Sequence, residues 1–289
     1  MNDLSSHMRL AIDEATASLR EGNCGFGAVI VKNGRVAAKA HDTEITAQDA
    51  TAHAEIAAIK SASLKAGRDL SGCIMVATHE PCPMCATAML WAGISDLAYG
   101  YSIEEAIAQG RRRVNLTPQE IYARAGKKIN IHQGVLRTAC AVLYNQAVRD
   151  NIDRLRDADQ SKLEALAQAL SAKRLTWFVK NRPVFETDNE DTLERAYLLF
   201  LDKLGISAED APVVRRGPRS LVLHSMNFCP TLEACKILGL DTRVVCRHLS
   251  EKPTTELLRQ LHPKLRFTRN YERLRPYAPF CEEKIFLVD

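Results

Sequence analysis

No stretch of the 289 residues approaches the roughly 18 to 20 consecutive apolar residues that a membrane helix needs. A helical membrane protein is excluded at the outset. An excess of one charge sign is also missing: 39 Lys and Arg stand against 35 Asp and Glu, and the net +4 is far below the cationic face of a dedicated nucleic-acid binder. Nucleic acid is therefore not the expected partner. Neither an internal repeat nor a low-complexity tract occurs, which excludes a solenoid or an array. The first 22 residues spread Asp3, Arg9, Asp13, Glu14 and Arg20 among their apolar positions, so a secretory signal is not expected and the expected compartment is the cytoplasm. In a reducing compartment the nine cysteines suggest metal or thiol chemistry before disulfides. What remains is a globular chain, 46% hydrophobic and 26% charged, long enough for two domains.

Apolar spacing predicts a helix over residues 5–20, with Ser5 and Ser6 as cap candidates and Gly22 closing it. Phe26 to Ala38 reads as a hairpin, because Asn33-Gly34 supplies the positive φ angles of a tight turn. Helical character returns from Ala52 to Ala66 and from Pro83 to Gly93, with strands at Cys73 to Thr78 and Leu97 to Tyr101. A further strand is expected near Ile129, then a helix from Val135 past Arg149. Such alternation makes the fold class α/β, a sheet layered with helices. Residues 150–174 are charged, helically spaced and free of Gly and Pro, which places a domain boundary there: 1–150, a helical linker 151–175, and 176–289.

The strongest chemical signal is His53-Ala54-Glu55 followed, 29 residues after the histidine, by Pro81-Cys82-Pro83-Met84-Cys85. A catalytic zinc takes three protein ligands and keeps one position open, and His53, Cys82 and Cys85 make such a set. Pro81 and Pro83 suit a helix start, whose positive end favours thiolates at both cysteines. Glu55, two residues past the histidine, can face the metal-activated solvent without being a ligand and would carry the protons.

This pattern resembles the cytidine-deaminase-like zinc deaminase superfamily over residues 5–150, the guanine and nucleobase deaminase branch in particular, on the H-x-E and P-C-x-x-C signature and Trp91-Ala92. The resemblance implies a three-layer α/β/α fold with a mixed sheet, one zinc per chain and a homodimer. It also implies hydrolytic release of ammonia from a small nucleobase-like amino-heterocycle. It places Phe26, Gly27 and Ala28 on the pocket floor and Trp91 near the substrate. Purine-type members carry an Asn about eleven residues before the zinc histidine; that position here falls on Asp42, whose carboxylate accepts hydrogen bonds only and would favour a guanine-like edge of adjacent donors. Arg111-Arg112-Arg113 is expected to be a solvated face rather than a phosphate contact of a tRNA adenosine deaminase.

In the second half, Ser220 to Cys235 reads as a strand running into a helix with Pro230 at its first position, and the strands expected near Leu265 and Glu283 make this an α+β domain. Cys229 would sit at the positive helix end, with His224, Glu233, Cys235 and Cys246 as candidates to gather around it. The run from His224 to Val288 resembles the aminothiazoline-carboxylate hydrolase family, which implies water addition to a cyclic amidine. A packing or dimerisation domain with buried cysteines is the alternative reading of the same residues.

Overall fold

The computed structural model describes residues 3–185 and 191–289. It divides into two units, Met1–Ile152 and Asp153–Asp289. In the first, α1 (Leu4–Glu21) starts at Asp3, whose carboxylate accepts from the Ser6 amide at 3.1 Å, and stops at Gly22, where φ is 93°. β1 (Gly27–Lys32) and β2 (Arg35–His41) form the expected hairpin, with Asn33 and Gly34 at φ 53° and 73°. α2 (Ala54–Ala66), β3 (Cys73–His79), α3 (Pro83–Trp91) and β4 (Asp96–Tyr101) follow as the spacing predicts.

Two short helices come next, α4 (Ile103–Ala108) and α5 (Pro118–Arg124), ahead of β5 (Asn130–His132). Each is opened by a reciprocal capping box, Ser102 with Glu105 and Thr117 with Glu120. The long helix expected from Val135 is broken into α6 (Arg137–Tyr144) and α7 (Gln146–Leu155). The break is Asn145, which is extended at ψ 123° and whose side chain accepts from the Val148 amide at 3.1 Å.

The sheet order is β2-β1-β3-β4-β5; β1 runs antiparallel to both neighbours, and β3, β4 and β5 run parallel. Alternation along β1 divides the two faces. Ala28 and Ile30 pack with Ala54, Ala58 and Ala62 of α2 and Met89 of α3, while α1 and α6 pack against the sheet from residues of the other set. A Cβ at Gly27 would collide with the Ala11 carbonyl of α1, so only glycine allows that approach. The result is a three-layer α/β/α unit whose α2 and α3 both start at the same end of the sheet, beside the close of β3.

The second unit contains α8 (Gln160–Phe185), α9 (Thr192–Leu204), β6 (Val213–Gly217), β7 (Ser220–Ser225), α10 (Pro230–Leu238) and α11 (Thr242–Cys246). A π turn at Arg247–Glu251, α12 (Lys252–Leu258), β8 (Leu265–Arg269) and β9 (Cys281–Leu287) complete it. Its sheet, β6-β7-β9-β8, is antiparallel throughout. Phe178, Phe200, Leu221, Leu257, Phe267 and Ile285 share its core, an α+β arrangement. The helical linker expected over 151–175 is interrupted: α7 ends at Leu155, α8 begins at Gln160, and α8 packs against α12 of this unit. Among the described residues no helix is long and apolar enough to cross a membrane.

Candidate active site

His53 and Cys82 occupy equivalent places: each is the residue before a helix, in extended backbone, with its side chain left free of capping. Cys85 lies one turn into α3, behind Pro83. The Cys82 Sγ to His53 Nδ1, Cys85 Sγ to His53 Nδ1 and Cys82 Sγ to Cys85 Sγ distances are 3.6, 3.5 and 3.7 Å. A tetrahedral zinc with sulfur at about 2.3 Å and nitrogen at about 2.0 Å requires ligand atoms roughly 3.5 to 3.8 Å apart. The residues present therefore fit zinc, and among the described residues they are the one group of three or more His, Cys, Asp or Glu side chains so placed.

Among the protein groups alone, the hydrogen bond with Cys85, helped by His53, pulls the Cys82 thiol down to about 4. The same contact, together with burial, holds Cys85 protonated, and the bond with Cys82 raises His53 to about 9. Cys85 and His53 each keep a proton beside the Cys82 thiolate, and a cation held by all three would displace both. Glu55, buried in the first turn of α2, has Oε2 3.5 Å from Cys85 Sγ, and burial pushes its carboxyl up to about 7.

These groups open into a cavity of about 530 Å³. Phe26 lines it as expected, stacked on Tyr144 at 5.4 Å. Four other assignments are corrected. Gly27 is pressed against α1 and Ala28 lies in the core beneath α2, so neither reaches the cavity. Trp91 is 73% exposed at the end of α3 and lines no part of it. Asp42 is fully buried and turned inwards: its carboxylate accepts from Ser18 Oγ at 2.6 Å and from the Cys24 and Phe26 amides at 2.8 and 2.7 Å. It holds the cavity wall and does not line it.

Residues that the sequence did not assign to the site supply the rest. Glu44 stands 3.8 Å from His53 Nε2. His79 carries one ring nitrogen on the Glu80 carbonyl at 2.8 Å and leaves Nε2 buried without a partner among the described residues; burial lowers it to about 4. Arg111, Arg112 and Arg113, expected on a solvated face, line the cavity together with Arg149. Their only local signal was a basic run, which by itself favours solvent.

In the second unit the five gathered candidates part company. Cys229, at the start of α10, and Cys246 line a cavity of about 220 Å³ with Ser225, Arg269, Cys281 and Glu283. His224 is elsewhere, stacked on Phe280 at 3.7 Å; Glu233 pairs with Lys236 at 2.9 Å; Cys235 is core. Arg269 bonds Glu283 in the cavity wall, and Ser225 bonds the same carboxylate.

Helix starts that bring one imidazole and two thiolates to a single point beside a buried carboxyl are the working end of a zinc-dependent hydrolytic deaminase. The chain belongs to the family described by the cytidine and deoxycytidylate deaminase zinc-binding region, which matches residues 1–101. It is 32% identical over 145 residues to the tRNA-specific adenosine deaminase of Bacillus subtilis, covering 50% of this chain and 88% of that protein. It is 37% identical over 105 residues to the guanine deaminase of the same organism, 36% of this chain and 67% of the relative. A solved guanine deaminase from Nitrosomonas europaea aligns with 26% identity over 48% of this chain and 82% of that one, at a TM-score of 0.43.

Proposed function

We propose that the first unit hydrolytically removes the exocyclic amino group of a purine-like amino-heterocycle, with His53, Cys82 and Cys85 holding zinc and Glu55 moving the protons. The observation that carries this reading is the 3.5 to 3.7 Å triangle of ligand atoms with the Glu55 carboxylate at its edge, inside a cavity. When bound, zinc supplies the Lewis acidity that makes water a nucleophile near neutral pH. Glu55 would take a proton from the attacking water and give it to the ring nitrogen beside the reacting carbon, then take the remaining proton of the added hydroxyl and give it to the amine, so that the C–N bond breaks, ammonia leaves and a ring carbonyl is left. A carboxyl whose affinity for protons lies near neutrality serves both directions.

The purine-sized ring is supported by relatives that bear the names of guanine and tRNA adenosine deaminases. A guanine-like preference rested on Asp42, Trp91 and the Pro81-Cys82-Pro83-Met84-Cys85 form of the cysteine motif; Asp42 and Trp91 lie outside the cavity, which leaves the motif alone to favour guanine over adenine. Ammonia release from a panel of purine and pyrimidine bases, nucleosides and nucleotides tests the reading. Cys85→Ser and chelator-treated protein are expected to lose zinc and ammonia release together. Release from none of the panel by zinc-loaded protein would sink it.

A homodimer is part of the same proposal, favoured by Trp91, a large apolar side chain 73% exposed with no cavity to fill. Light scattering of active protein is expected to give twice 32.1 kDa; a monomeric mass removes the idea. A second, amidine-opening step in the other unit is not proposed, because His224, Glu233 and Cys235 do not line the cavity that holds Cys229.

A further inference from the structure

We propose that the amino-heterocycle taken by this site carries a phosphate monoester, and that Arg111, Arg112 and Arg113 bind it. The inference rests on the deaminase reading and adds the class of substrate. The loop between α4 and α5 delivers three successive guanidiniums to the wall of the cavity that also contains His53, Glu55 and Cys82. Charges in such a run ordinarily find carboxylates or point to solvent. Here Arg111 is half-buried and donates to the Tyr144 carbonyl, and Arg113 lies 5.5 Å over the Phe26 ring and donates to the Arg112 carbonyl at 2.9 Å. Neither bond neutralises charge, and the guanidinium of Arg112, a residue exposed where it lines the cavity, makes no bond among the described residues. No carboxylate there comes within ion-pair distance of any of the three.

Arg149 adds a fourth positive group to the same wall, with Nε on the Leu143 carbonyl at 3.0 Å and one terminal nitrogen on the Cys24 carbonyl. Each guanidinium has five N–H donors, so after the bonds just named most of those on Arg111 to Arg113 are unspent. A phosphate monoester brings a charge of about −1.5 to −2 and three acceptor oxygens, the partner that guanidinium forks match in pairs. A neutral free base offers this wall acceptor atoms but no charge to balance it.

The size of the cavity agrees. About 530 Å³ lies within the roughly 300 to 1,000 Å³ of pockets that enclose drug-sized ligands, leaving space beyond a bare purine ring. One compact cluster also suits one phosphate. A protein that follows a nucleic-acid backbone spreads its cations along a stripe, and a net charge of +4 over 289 residues leaves little for one.

The test compares zinc-loaded enzyme on matched purine bases, nucleosides and 5′-monophosphates, and on unmodified tRNA. The monophosphate is expected to exceed its nucleoside in kcat/KM by about tenfold to a hundredfold, mainly through KM. Arg112→Glu is expected to bring that ratio towards one, and Arg112→Lys to keep part of it. Inorganic phosphate is expected to compete with the monophosphate, less strongly as sodium chloride is raised. Equal kcat/KM for nucleoside and monophosphate overturns the proposal, as does a ratio unmoved in Arg112→Glu. So does tRNA outperforming every mononucleotide, which would assign the arginines to an RNA backbone. If no heterocycle yields ammonia while calorimetry still records phosphate binding that Arg112→Glu abolishes, the deaminase reading fails and the arginine site stands.

Discussion

Glu55→Gln is expected to slow deamination by about 10² to 10⁴-fold while one zinc per chain is retained. Glutamine keeps the size and the carbonyl oxygen of the side chain but has no proton to give and cannot accept one usefully. The three ligand atoms lie on other residues, and their mutual distances of 3.5 to 3.7 Å already match a tetrahedral ion without Glu55. Burial, the largest influence on the Glu55 carboxyl, raises it to about 7, so it can both take and return a proton near neutral pH. Metal analysis alongside ammonia release decides the matter. Loss of zinc together with activity would make Glu55 a ligand, and unchanged rates would remove it from the chemistry.

The ligand set and the walls around it differed in how far the sequence disclosed them, and the difference is one of range. His53, Cys82 and Cys85 are defined by local spacing and by two helix starts, so their convergence needed only the strand order that joins α2 to α3 through β3. The hairpin was equally local, since Asn33-Gly34 states its own φ angles. The α4 and α5 helices were written in Ser102-x-x-Glu105 and Thr117-x-x-Glu120, a capping signal that apolar periodicity over six or seven residues cannot reinforce. The arginine loop was not readable. Its placement depends on the parallel crossover that brings residues after β4 back over the cavity, and three adjacent cations say nothing of that. In the second unit Cys229 met its expected helix start, but His224 alternates with Leu223 and Ser225 on β7, and its strand phase turned it to Phe280 and Glu282 instead.

Asp42→Ala is expected to leave little folded protein, and Asp42→Asn to fold with a lower urea midpoint and the same ratio of rates across substrates. Read along the sequence, Asp42 falls where purine-type relatives place a ring-reading amide. In space it stands just past β2, facing α1. There it ties Ser18 of that helix to the loop that feeds β1, through bonds to Ser18 Oγ, the Cys24 amide and the Phe26 amide. The Gly25 amide completes the knot on Ser18 Oγ at 2.8 Å. Alanine would strand three donors at a fully buried point, each costing roughly 1 to 3 kcal/mol, and their combined loss approaches the roughly 5 to 15 kcal/mol by which a domain is stable. Asparagine keeps one acceptor oxygen and turns an NH₂ group towards the others. One or two donors then lose their partner, and the unit survives in weakened form. Because Asp42 itself lines no part of the cavity, activity falls with folded fraction and does not shift between rings. An unchanged midpoint accompanied by a changed substrate ratio in Asp42→Asn would return Asp42 to the pocket and overturn this placement.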